Sequence, residues 1–103
     1  MHLLEKERKA IIEVISGKLD DEVQVYIYGS RSRGLSCEES DIDILILTQS
    51  PIPNKTLRQI KIDISDLLGG TKIDIVHSTF QNKTTFINLI EEQAILLWER
   101  KNT

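Results

Sequence analysis

The chain has 103 residues, 40% hydrophobic and 28% charged, which suits one domain with a core of its own. A formal net charge of −3 supplies no global basic field, so direct nucleic-acid binding is not expected. Cys37 is the single cysteine, so no internal disulfide can form, and no apolar run nears the roughly 20 residues that span a bilayer. A cytoplasmic protein without a membrane partner is expected. The segment MHLLEKERKA offers no apolar signal core, with charge arriving by Glu5.

The first helix is predicted from about Leu3 to Leu19, with Leu4, Ile11, Ile15 and Leu19 near one face. VQVYIY, residues 23 to 28, is rich in β-branched and aromatic types and predicts a strand. Gly29 ends it, and GSRSRG runs into LSCEES as a polar loop, or as a short helix and a loop. DIDILILT, residues 41 to 48, is the second strand; its continuous apolar end suits burial on both faces. Pro51 and Pro53 close it, and Asn54 is placed to cap a helix in which Leu57, Ile60, Ile64, Leu67 and Leu68 repeat at helical spacing. Gly69 and Gly70 stop that helix.

KIDIV, residues 72 to 76, is the third strand. A short helix is expected from about Asn82 to Glu91, with Phe86, Leu89 and Ile90 inward. AILLWE fits either a continuation of that helix or a fourth strand; the strand is the reading adopted. The order predicts an α+β fold: a single small domain over residues 1–103, with a mixed sheet flanked by helices.

Three carboxylates stand out. Side chains alternate across a strand, so Asp41 and Asp43 share a face while Ile42 points away. Asp74 lies between Ile73 and Ile75 in a strand expected to be adjacent. One aspartate alone reads best as a strand-end or turn residue. Three of them in Ile-rich strand contexts, where Asp is depleted, ask for a compensating ligand. Clustered carboxylates repel, and a divalent cation reverses the sign of that interaction. Magnesium prefers carboxylate and phosphate oxygens, and a pair of ions can serve both attacking and leaving oxygens. Gly29 and Ser30 follow a strand directly. A glycine there lets a phosphate approach the backbone, and Arg31 and Arg33 add positive charge. A lone Gly-Ser is only a turn, and Arg33 has a structural alternative in pairing with Glu38, Glu39 or Asp41.

The combination is more specific than its parts. GSRSRG followed by SDIDILI resembles the GSxARG…SDIDLxV signature of the DNA polymerase beta-like nucleotidyltransferase superfamily, most closely its minimal (MNT) branch. The similarity extends from the first helix to ILLWE; Ser32 stands where the family usually has Ala. The resemblance implies the polymerase beta-like fold and a magnesium-dependent transfer of AMP from ATP. It gives Asp41 and Asp43 the metal ions, expected to be two, and gives Gly29 and Ser30 the triphosphate. Asp74 would complete the metal site and help deprotonate the acceptor. It further implies an antitoxin of the MntA type, adding AMP to a tyrosine of a HEPN-domain toxin, with a homo- or hetero-oligomer supplying the acceptor half of the site. The alternatives are a nucleotidyltransferase acting on a small molecule and a non-catalytic module that neutralises a toxin by binding.

Other residues read as ordinary. Cys37 is a bystander thiol, and His77 is a polar strand end unless it faces the pocket. Trp98 is core or a partner contact, and His2 belongs to a terminus.

Overall fold

The computed structural model describes residues 5–29 and 41–101. The expectations for Ser30, Arg31, Arg33 and Cys37 concern positions outside these residues. Three helices and four strands follow one another: α1 (Glu5–Lys18), β1 (Val23–Tyr28), β2 (Ile42–Thr48), α2 (Asn54–Leu67), β3 (Ile73–Thr79), α3 (Thr85–Gln93) and β4 (Ile95–Arg100). The sheet order is β3-β2-β1-β4. β1 pairs antiparallel with both β2 and β4, whereas β2 and β3 run parallel through the α2 crossover, giving the mixed sheet expected.

The alternation of side chains divides the core. Val23, Val25, Ile27, Ile42, Ile44, Ile46 and Ile73 point to one face and meet Ile11 and Ile15 of α1 and Ile60 and Ile64 of α2. Leu45 and Leu47 point to the other face, where Ile87 and Ile90 of α3 cover them. β2 is thus buried on both sides, as its unbroken apolar run implies. Each such side chain contributes roughly 1.5–3 kcal/mol on burial.

Several sequence expectations are corrected. Pro53, not Asn54, occupies the N-cap of α2; Asn54 is its first helical residue, and no side-chain cap bond forms. Pro is well suited to a helix start because it lacks the N–H that would go unsatisfied there. Of the helically spaced residues of α2, Ile60 and Ile64 are buried, Leu57 and Leu68 flank the core, and Leu67 is exposed. α3 starts later than expected, capped by the Thr84 hydroxyl, which accepts from Ile87 N at 3.2 Å. Its inward pair is Ile87 and Ile90; Phe86 and Leu89 face solvent. The final segment is a strand, with a register shift opposite Val25 and Tyr26. That shift lets both Leu97 and Trp98 pack against the α1–α2 core. Arg100 stacks over Trp98 at 5.3 Å and donates to the carbonyls of Leu19 and, at 3.2 Å, Ser16.

Candidate active site

β1 ends at Tyr28, and Gly29 turns the chain with φ +74°. A left-handed φ favours glycine, and space demands it too. A Cβ on Gly29 would overlap Oδ2 of Asp43 and lie 3.3 Å from its Cγ. The missing side chain of Gly29 therefore leaves room for a carboxylate of β2.

Registration across three strands aligns the chemistry. Tyr28 is opposite Asp43, and Asp43 is opposite Asp74. Residues directly opposite one another share a face, so the three side chains form a row. It lies on the α3 face, away from the α1–α2 core, because Ile42 and Ile73 take that core. Asp41 just precedes β2 and is held at the sheet's end, where Ile42 N donates to Lys72 O at 3.1 Å. Its carboxylate lies 3.7 Å from Lys72 Nζ, an exposed pair of small energetic value.

The electrostatics match this geometry. Burial, then Asp74, then Asp41 hold the Asp43 carboxyl above its ordinary range, against a smaller lowering by Lys72. Burial, then Asp43, then Asp74 push the Tyr28 phenol up as well. Anionic oxygen is disfavoured here unless a cation compensates it. The donors are hard oxygens, two of them on adjacent strands in register, and this set fits magnesium, which needs few protein ligands when phosphates and water supply the rest. Among the described residues no group of three His, Cys, Asp or Glu side chains is already gathered as a metal cage. Asp41 leans towards Lys72 instead of closing the set.

His77 belongs to the opposite face. It pairs with Ile46, and its Nε2 lies 2.8 Å from Thr48 Oγ1; burial lowers its pKa. It is a satisfied strand residue remote from the aspartate row. Tyr28 is the residue that sequence reasoning passed over. The signal was its place one before Gly29 on the Tyr26–Tyr28 stripe, in phase with Asp43. Tyr28 and Gly29 also line a hollow of about 250 Å³ with Phe86, Leu89, Ile90 and Gln93. A larger groove, about 490 Å³, runs along α2 past Arg58, Lys61 and Lys72 but includes none of the row.

Residues 9–103 match the family described as polymerase beta nucleotidyltransferases, a span that includes Gly29, Asp41, Asp43 and Asp74. The chain belongs to that family. This nucleotidyltransferase is 31% identical over 99 residues to "Putative protein adenylyltransferase MJ0141" of Methanocaldococcus jannaschii, covering 92% of this chain and 95% of the relative. Its fold is similar to that of a chain in the crystal structure of a toxin–antitoxin pair with AMP-PNP, with TM-score 0.72 and 21% identity over 95% of this chain and 76% of the other. It also resembles a chain in the structure of the tri-AMPylated Shewanella oneidensis HEPN toxin with its MNT antitoxin. There the TM-score is 0.64 and identity 19%, covering 89% of this chain and 69% of the other. Among the described residues of the nucleotidyltransferase, no helix is long and apolar enough to cross a membrane.

Proposed function

We propose that this nucleotidyltransferase transfers AMP from ATP to a tyrosine hydroxyl of a HEPN-domain toxin and acts as that toxin's antitoxin. The observation that carries the reading is the row in which Asp43 and Asp74 stand opposite each other beside the Gly29 turn. The adenylyltransferase-named relative, similar over nearly its whole length, and the toxin–antitoxin folds support the acceptor class. Residues 1–103 are assigned to one catalytic domain working in the cytoplasm with its toxin in a hetero-oligomer.

In this reading Asp41 and Asp43 would hold magnesium, with Asp74 completing the set, and Gly29, Ser30, Arg31 and Arg33 would receive the triphosphate. Magnesium bound there, two ions in this reading, would neutralise charge on the phosphates and on the attacking oxygen. A tyrosine hydroxyl has a pKa near 10 and attacks poorly while protonated. Asp74 accepts its proton, the phenolic oxygen bonds to the α-phosphorus, the bond from that phosphorus to the β-phosphate bridging oxygen breaks, and pyrophosphate leaves.

The experiment combines purified protein, ATP labelled in its α-phosphate, magnesium and a candidate HEPN toxin. Label on a toxin tyrosine with wild type, and none with Asp74→Ala, is the expected result. Label on a small molecule, or toxin neutralised without label, would replace the reading with one of the two alternatives.

A further inference from the structure

α2 packs on the sheet face opposite the aspartate row, and its outward side is the surface that the candidate site leaves unused. Ile60 and Ile64 bury the helix, while Ile62 points away from the sheet and is 46% exposed. One exposed isoleucine is ordinary; its neighbours make this one informative. Arg58 and Asp66 lie four residues before and four residues after it, so the three form a line along the helix. All three border the groove of about 490 Å³ beside α2. Among the described residues, neither Arg58 nor Asp66 has an ion pair or a side-chain hydrogen bond. The charges of α2 also run against its own dipole. A helix favours acid at its start and base at its end, yet α2 has no acidic residue in its first turn and no basic residue in its last. Lys55 stands at the start and Asp66 at the end instead.

We propose that this face of α2 docks antiparallel on the same face of a second copy of the chain, about a two-fold axis at Ile62. Such an axis sets each residue opposite the one equally far from the centre on the other helix. Ile62 then meets its own counterpart. Arg58 of each copy meets Asp66 of the other, both about 6 Å along the helix from the centre. Read in reverse, the line carries the opposite sign at each charged position, which is what a self-complementary surface requires. The same arrangement answers the reversed dipole. Each Lys55 comes beside the carbonyl end of the opposite helix, near Gly69, and antiparallel macrodipoles attract. A parallel pairing would instead set Arg58 on Arg58 and Asp66 on Asp66. Each copy carries a net charge of −3, so two copies repel in general and local complementarity has to overcome that repulsion. The aspartate row is on the other face of the sheet, so both candidate sites stay open in the pair.

Analytical ultracentrifugation of the 103-residue chain over a concentration series should show a reversible monomer–dimer equilibrium. Arg58→Glu alone sets acid against acid at both ends of the contact, and Asp66→Arg alone sets base against base. Each should weaken self-association about tenfold or more. An equimolar mixture of these two variants should restore association to the wild-type strength, because every pair in the mixed dimer is again opposite in charge. Ile62→Lys should also abolish the dimer. All three side chains are exposed, so circular dichroism should show the wild-type fold in each variant. A wild type that stays monomeric throughout would overturn the proposal, as would a dimer that survives these substitutions or single variants that the mixture fails to rescue. A monomeric wild type that captures a HEPN toxin through Ile62 would give the face to that partner and equally overturn it. None of these failures touches the nucleotidyltransferase reading, which rests on the other face.

Discussion

Gly29 and Asp43 occupy neighbouring space so tightly that a side chain on one displaces the other. Gly29→Ala should therefore act twice. The left-handed backbone costs roughly 1–2 kcal/mol for a residue with a Cβ, seen as a lower denaturation midpoint. The displaced Asp43 carboxylate should then cost magnesium-dependent ATP affinity beyond that loss, measured on the folded variant. Asp43→Asn should have the opposite sign in the absence of ligand. Asp43 has a raised pKa when folded, so its ionisation favours unfolding. Its contribution is best below the ordinary carboxylate value of 3.8 and is lost as pH rises through the raised one. In chelator, Asp43→Asn should melt higher than wild type at neutral pH, and the gap should close as acid protonates Asp43. A gap that stays constant with pH would refute the electrostatic cause. Asp43 and Asp74 were legible in the sequence because aspartate is out of place between isoleucines in a strand. Tyr28 was not, because a tyrosine in a strand already has an ordinary explanation.

Elements differ in how much of their placement local sequence encodes. VQVYIY coincides with β1, since five β-formers in six residues, between polar residues and glycine, leave little choice. α3 was legible as a helix but not in its orientation: Phe86, Ile87, Leu89 and Ile90 offer two apolar stripes, and only the sheet selects one. α2 and its proline start show the same limit, because Pro53 and Asn54 are both acceptable at a helix entrance. β4 was ambiguous because its bulge breaks the alternation, putting Leu97 and Trp98 on one face. The bulge precedes Arg100, whose guanidinium closes the carbonyl end of α1. Arg100→Met should lose those charge-assisted bonds and destabilise the fold by about 1–3 kcal/mol. Arg100 pairs with Val23, at the end of β1 remote from Gly29. ATP affinity at temperatures well below the melting point should therefore be unchanged in Arg100→Met. Calorimetry beside denaturant unfolding tests both halves; a parallel loss of affinity would show that β4 supports the site.

The order β3-β2-β1-β4 brings the end of β1 and the starts of β2 and β3 together, so Gly29, Asp43 and Asp74 meet although far apart in sequence. Their roles should still separate, because Asp43 lies on an interior strand and Asp74 on the edge strand. Filling this site with magnesium and ATP at about 100 times the dissociation constant should stabilise the whole fold by roughly 2.7 kcal/mol. Asp43→Ala should lose most of that increment, since it removes the carboxylate that Asp74 and Asp41 both act upon. Asp74→Ala should keep much of it, because the proposed metal ligands Asp41 and Asp43 remain, yet it should abolish AMP transfer if Asp74 is the proton acceptor. Thermal unfolding across an ATP titration measures the first property, and mass spectrometry of a co-expressed HEPN toxin measures the second. Stabilisation by ATP together with an unmodified toxin is thus the signature expected of Asp74→Ala alone. If Asp74→Ala instead modifies the toxin at the wild-type rate, the proton must leave by another route, and Asp74 is then no more than the outer member of the carboxylate row.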